Sequence, residues 1–337
     1  MKTRKPNSSY TAFTPMDIDS GSRIWLQLYY NMEITMCLRV DWGKGSLTLP
    51  DQALANTKVV GEEIAYFVNT LKGELNVNVS KCHCIGHSMG GYVCGFAGQG
   101  IDKLGRITAL DPAPKEFFEV ENNEKLDPSD AEFVDAIHTG FSLLNILPSI
   151  AVPQPVGHLD FYVNEGHYQT GCYLSLTSLL NPTNNLEEDL IDLVSNEVTC
   201  GHLRPITYYI ESILNPSCQW VSYECSSFEQ FQKGECSSCG TDSSNCGLLG
   251  PRAIEYTDKS RENVVLFIKT AAKSPFCVQH YVVSISTGII VQDESPSGGV
   301  ITFEVIGSTG YFTEKLEIKK LYPFVHTETI LTILNIS

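Results

Sequence analysis

The chain has 337 residues, enough for one large domain with a small one, or for two of middling size. With 42% hydrophobic and 18% charged residues it has a globular composition, which excludes wholesale disorder. A formal net charge of −16 argues against nucleic acid and against tight docking on anionic membranes, because both need clustered Lys and Arg; neutral lipid surfaces stay open.

Residues 1–16 are polar and basic, with no apolar run that could act as a secretory leader. No stretch approaches the roughly 20 apolar residues of a transmembrane helix. Twelve cysteines, seven of them between Cys172 and Cys246, point to disulfides and an oxidising, extracellular setting. A cysteine-rich chain without a leader is expected to have its native N-terminus further upstream. The rival reading of the cysteines is zinc, since Cys236 and Cys239 form a CxxC with Cys225 and Cys246 nearby.

In chain order, Cys37 to Val40 reads as a buried strand. Ile64, Phe67, Val68, Leu71 and Leu75 recur at helical spacing and predict a helix over 59–75. Cys82 to Ile85 is the next strand, Met89 to Gln99 a helix of small residues, and Arg106 to Leu110 a further strand. This alternation predicts an α/β fold, a mostly parallel sheet with helices on its faces. The stretch from Cys172 to Cys246 reads as loop-rich. Beyond Pro275 the period changes to two: Tyr281, Val283 and Ile285, then Val300 to Val305, then Tyr311 to Ile318. These strands resemble the start of a β-sandwich, although only about 60 residues remain against roughly 100 for a whole one.

Gly86-His87-Ser88-Met89-Gly90 is a G-x-S-x-G between a strand and a small-residue helix. A sharp strand-to-helix turn leaves no room for flanking side chains, presents the serine at the carboxyl edge of the sheet and aims helix N–H dipoles at a developing oxyanion. The plainer reading is a glycine-rich turn with a solvated serine. A serine hydroxyl needs a base held by a carboxylate, in the order Ser, acid, His on this fold. Asp111, at the end of the strand Arg106 to Leu110, is the candidate acid, its alternative being a turn aspartate. Eight histidines compete for the base. His83 lies within a strand, and His87 is expected to point away from the nucleophile. His138 and His158 suit structural hydrogen bonds, and His202 follows Cys200 on a loop that a bridge would fix.

At this point the chain resembles the pancreatic-type lipase family of triacylglycerol lipases and phospholipases A1. The matching stretches are VDWGKGS (40–46), VVGEEIAYFV (59–68), CIGHSMGG (84–91), GRITALDPA (105–113), KLDPSDAEFVDAIHTG (125–140), GHLDFYVNEG (157–166), CGHLRPITYYIESI (200–213) and YECSSFEQFQKGECSSC (223–239). The resemblance implies an α/β-hydrolase catalytic domain over 1–273 and a partial PLAT-like β-sandwich over 274–337. It implies a triad of Ser88, Asp111 and His202, with the Met89 N–H in the oxyanion hole. The second donor of the family sits on a His-Gly-Phe segment, for which Thr11-Ala12-Phe13 is the nearest counterpart, so Phe13 is the candidate. Gly140 stands where the family usually has Asp. No cofactor is expected for catalysis. The structural calcium site of the family falls on Asn122, Lys125, Asp127 and Asp130; two carboxylates three residues apart on a tight loop suit a hard cation, and the alternative is a solvated acidic turn closed by Pro128.

The family bridges the pair corresponding to Cys172 and Cys200 to form a lid. Within it Leu186, Leu190, Leu193 and Val194 share one helical face, with Glu187, Glu188, Asp189 and Asp192 on the others. Such a helix covers an apolar cleft in water and turns to a lipid surface, or else it packs on the core. The long lid, and the 17 residues between Thr139 and Gly157, favour triacylglycerol as substrate. SPFCVQHY (274–281) and Cys218 instead resemble the phospholipases A1 of the family, and suggest a Cys218–Cys277 bridge. A non-catalytic lipid-binding relative is the third reading. The resemblance also allows a colipase-like partner on the C-terminal strands.

Overall fold

A computed structural model describes residues 11–15, 36–113, 125–140, 151, 153–172, 186–287, 299–307, 310–318 and 326–334. Apolar runs at strand length and amphipathic runs at helix length alternate, and the chain folds into a nine-stranded sheet with helices on both faces. The strands are β1 (Thr11–Pro15), β2 (Met36–Val40), β3 (Cys82–His87), β4 (Arg106–Leu110), β5 (Val134–His138), β6 (Leu159–Val163), β7 (Val221–Glu224), β8 (Cys246–Leu248) and β9 (Val264–Ile268). Their order is β2-β1-β3-β4-β5-β6-β9-β7-β8. The first seven in that order pair in parallel, and β7 and β8 add an antiparallel edge.

Side chains along the central strands alternate between two cores, as a period of two requires. Ile85, Leu110 and Ile137 point to one face, where they meet Tyr208, Tyr209 and Trp220. Cys84, Ile107, Ala109, Val134 and Ala136 point to the other, against Ile64, Val68, Tyr92, Val93 and Phe96. That second face is covered by α1 (Pro50–Leu75) and α2 (Met89–Gln99). The first is covered by α3 (Leu186–Leu214).

Three elements differ from the sequence reading. Helix α1 begins nine residues earlier than 59, because Pro50 suits its first position and Ala53 and Thr57 extend the buried stripe. Phe67 and Leu75 lie on its exposed side. It ends at Asn76, in the left-handed conformation that closes many helices. The cysteine-rich middle is not mainly loop: α3 is one 29-residue helix with Pro205 inside it. Gly201 and Pro205 read as breakers, but packing of Ile206, Tyr208 and Tyr209 on the sheet carries the helix through. C-terminally, β10 (Gln279–Thr287) pairs antiparallel with β13 (His326–Leu334), and β11 (Gly299–Gly307) with β12 (Gly310–Ile318). The strand 326–334 was not expected from the sequence.

Five disulfides join Cys84–Cys94, Cys172–Cys200, Cys218–Cys277, Cys225–Cys236 and Cys239–Cys246. The four sulfurs of the zinc alternative are thus bonded in pairs. No helix among the described residues is long and apolar enough to cross a membrane.

Arg106 joins β4 and β5 to the segment that follows β8. Its guanidinium donates to both oxygens of Asp135, at 2.7 and 3.0 Å, and to the carbonyls of Gly250 and Pro251 at 2.9 and 2.8 Å. Asp135 is fully buried and also accepts from the Thr108 hydroxyl. Removing one partner of such a pair strands the other charge, so Arg106→Met should cost about 3–5 kcal/mol in urea unfolding. A loss below about 1 kcal/mol would show that the pair is not a support of the fold.

Candidate active site

Ser88 follows the last residue of β3 and heads α2, with φ 56° and ψ −127°. That conformation is costly for a side chain and survives because the surroundings dictate it. A Cβ on Gly86 would run into the backbone of Gly90 and Gly91, so glycine is required where β3 turns into α2. The Ser88 amide donates to the Leu110 carbonyl of β4 at 3.0 Å. Met89 N–H, at the first position of α2, has no backbone acceptor among the described residues. The Cys84–Cys94 bridge clips β3 to α2 on either side of the turn, with both cysteines buried.

Asp111 follows β4 on the same rim. It is 0% exposed, and Oδ1 accepts the amides of Thr139 and Gly140 at 2.8 and 2.9 Å from the turn after β5. Its Oδ2 lies 2.6 Å from His202 Nδ1, so the carboxylate fixes the ring and leaves Nε2 as the basic nitrogen. His202 sits on α3, not on a loop: the helix that covers one face of the sheet delivers it. Gly140 has a role that the sequence did not disclose. A Cβ there would crowd Asp111 Oδ2 and approach the His202 backbone to 3.1 Å, so glycine lets the turn and the helix close on Asp111 with no shift of its carboxylate.

The expectation that His87 points away needs correction. Its Nε2 lies 2.7 Å from the His202 carbonyl, and the two rings are 4.5 Å apart. A carbonyl only accepts, so His87 Nε2 carries the proton and braces the backbone of His202. Burial, and then the His202 ring, hold the His87 imidazole down at about 4. Three further histidines are engaged elsewhere: His83 with Thr108 at 2.8 Å, His138 with Asp160 at 2.8 Å, and His158 with the Val134 amide at 3.0 Å. Behind the rim, Gln169 donates to the carbonyls of Thr139 and Val163 and accepts from Tyr208 on α3. That buried amide ties the β5 turn to the helix carrying His202.

Phe13 does not reach this rim. Its register partners are Leu38 and Cys84, and Cys84 precedes Ser88 by four residues. At about 3.3 Å per residue, Phe13 lies roughly 13 Å short of the level of Ser88. Asn122 lies outside the described residues, as do the side chains of Leu186, Leu190, Leu193 and Val194. Asp127 and Asp130 form a capping box on the turn after Lys125. Asp127 Oδ1 accepts the Ser129 amide, and Asp130 Oδ2 accepts the Asp127 amide. Burial, and the neighbouring Asp127, push the Asp130 carboxyl up to about 8. A groove of about 810 Å³ beside Glu224 and Arg261 lies at the β7–β8 edge, away from Ser88.

Comparison with known proteins finds relatives over most of the sequence. The family model described as Lipase matches residues 22–276. Pancreatic lipase-related protein 2 of Bos taurus is 37% identical over 275 residues, 80% of this chain and 57% of its own length. Pancreatic triacylglycerol lipase of Myocastor coypus is 37% identical over 296 residues, covering 84% of this chain and 63% of its own. Inactive pancreatic lipase-related protein 1 of Mus musculus is 36% identical over 274 residues, covering 80% and 56%. The chain belongs to the lipase family, as a pancreatic-type member, and its matches span less than two thirds of the length of these relatives.

His87 gives the rim a pH signature. Folded, it stays neutral down to about 4, whereas unfolded it takes up a proton near 6.5, so the unfolded state binds more protons between those values. Stability must therefore fall as pH drops through that window. In His87→Gln the loss of unfolding free energy between about pH 7 and pH 4 should shrink by about 3 kcal/mol. An unchanged loss in urea titrations would mean that His87 is not held neutral in the fold.

Proposed function

We propose that the chain is a secreted, extracellular serine ester hydrolase that cleaves fatty-acyl esters of glycerolipids, triacylglycerol ahead of phospholipid. The observation that carries this reading is the hydrogen bond between buried Asp111 and His202, on the rim where the strained turn presents Ser88. His202 Nε2 takes the hydroxyl proton of Ser88 as Oγ attacks the ester carbonyl. The oxyanion is held by the Met89 N–H. Collapse expels the glycerolipid alcohol, which leaves with the proton from His202. Water then enters by the same route, and the fatty acid is released. The Asp111 carboxylate orients the ring throughout and stabilises its protonated form.

The long segment between Thr139 and Gly157 and the bridge Cys172–Cys200 support a lidded site for neutral acylglycerols. The bridge Cys218–Cys277 supports phospholipase A1 as the second reading. The name of the mouse relative, inactive, keeps a non-catalytic lipid binder as the third. Residues 1–273 form the catalytic unit in this reading, and 274–337 belong to a PLAT-like unit that meets lipid and a colipase-like partner.

The classes separate in one series. A fluorophosphonate probe should label the protein and spare Ser88→Ala. Triolein should then be hydrolysed faster than phosphatidylcholine, and Asp111→Asn should lower turnover by about 10⁴-fold through the wrong imidazole tautomer. Equal labelling of protein and Ser88→Ala overturns the enzyme reading, and faster phosphatidylcholine cleavage overturns the substrate ranking.

Calcium belongs to the same proposal. Two carboxylates three residues apart on one tight turn support the donor set of a hard cation. Asp127 and Asp130 would hold it, with oxygens of Lys125 and Asn122, and it would supply charge balance to a turn packed on α2. Calcium should raise the melting temperature over a chelator control, and Asp130→Asn should abolish the rise. Identical melting in calcium and chelator would sink it.

A further inference from the structure

Three segments read Asn-x-Ser without a central proline: Asn7-Ser8-Ser9, Asn78-Val79-Ser80 and Asn335-Ile336-Ser337. The second lies within the described residues, in the turn that joins α1 to β3. Asn78 is exposed and opens a short 3-10 turn over Val79–Lys81. Its Oδ1 accepts the Ser80 amide at 3.1 Å and the Ser80 hydroxyl at 2.8 Å. Its Nδ2 makes no hydrogen bond among the described residues. The side-chain amide is thus presented to solvent, with the hydroxyl two residues on already turned to its carbonyl oxygen.

We propose that Asn78 is an N-glycosylation site, independently of what Ser88 does. The motif alone is short and occurs by chance. The turn supplies what the chemistry needs, an exposed amide in an irregular surface segment. The compartment supplies the rest, because five disulfides place folding in an oxidising lumen. The donor is an oligosaccharide carried on a lipid pyrophosphate. Asn78 Nδ2 attacks the anomeric carbon and a C–N bond forms as the C–O bond to pyrophosphate breaks. The lipid pyrophosphate leaves with the electron pair, and one amide proton passes to the base of the transferase.

The glycan would stand at the opposite end of β3 from Ser88. Six residues of strand put roughly 20 Å between them, so the sugar neither blocks the rim nor meets a substrate there. It would instead cover the end of α1, where Leu75 is 68% exposed.

The test is peptide mapping of the full chain secreted from a eukaryotic host behind a leader. Treatment with a glycan-releasing amidase in heavy-oxygen water should convert Asn78 to labelled Asp in the tryptic peptide 73–81. Ser80→Ala should return that peptide unmodified, and Ser80→Thr should keep the glycan. Recovery of peptide 73–81 with intact Asn78 from the untreated secreted protein overturns the proposal. Label that persists in Ser80→Ala overturns it too, since it would come from deamidation. Mapping the parent needs no variant to fold, and glycans at Asn7 or Asn335 fall in other peptides.

Discussion

Asp111 keeps its carboxylate fully buried, and a charge in that position is tolerated only if donors turn toward it. Three do: the amides of Thr139 and Gly140 on one oxygen and the imidazole of His202 on the other. They come from two distant parts of the chain. The turn after β5 must bring two successive N–H groups to β4, which needs the parallel register between those strands. Helix α3 must cross the sheet at the height where His202 meets the same carboxylate. Gly140, with no side chain, lets the turn and the helix both reach Asp111 without displacing its carboxylate.

The brace by His87 follows from the same arrangement. In the proposed reaction His202 accepts a proton, which calls for a fixed backbone as well as a fixed ring. The His87 imidazole supplies this by donating to the His202 carbonyl from the strand side. It can do so in a dry position because it is neutral there, and the cost appears as a loss of stability in acid. Strain at Ser88, burial at Asp111 and neutrality at His87 are three consequences of placing polar groups where the sheet leaves little water.

Much of this was legible in the sequence where pattern and spacing are local. Helix Met89–Gln99 and strand Arg106–Leu110 fall where periodicity put them, because Gly86 and Pro112 mark their edges. The turn at Ser88 was legible for the same reason. What local pattern could not carry was contact between distant segments. The role of Gly140 depends on His202, 62 positions later, and that of His87 on a helix face whose path Pro205 disguised. Gln169 reads as an ordinary loop amide until Thr139 and Tyr208 are seen on either side of it. The Cys84–Cys94 bridge was hidden because its two cysteines stand on a strand and a helix, ten positions apart, and only the packing of α2 on β3 brings their sulfurs together. Phe13 was placed by motif analogy, and strand register moved it away from the rim.

Helix α3 fastens three separate parts of the molecule along twelve residues. Cys200 closes the bridge to Cys172, His202 meets Asp111, and Glu211 accepts the amides of Phe276 and Cys277 where the chain leaves for its C-terminal strands. Arg204, between them, stacks on Phe276 at 4.6 Å. A helix advances by about 100° per residue, so inserting or deleting a single position within this stretch would turn at least one of the three attachments away from its partner. Side chains between Cys200 and Glu211 are free to vary wherever they face water. The number of residues is not, and that makes this stretch a fixed ruler.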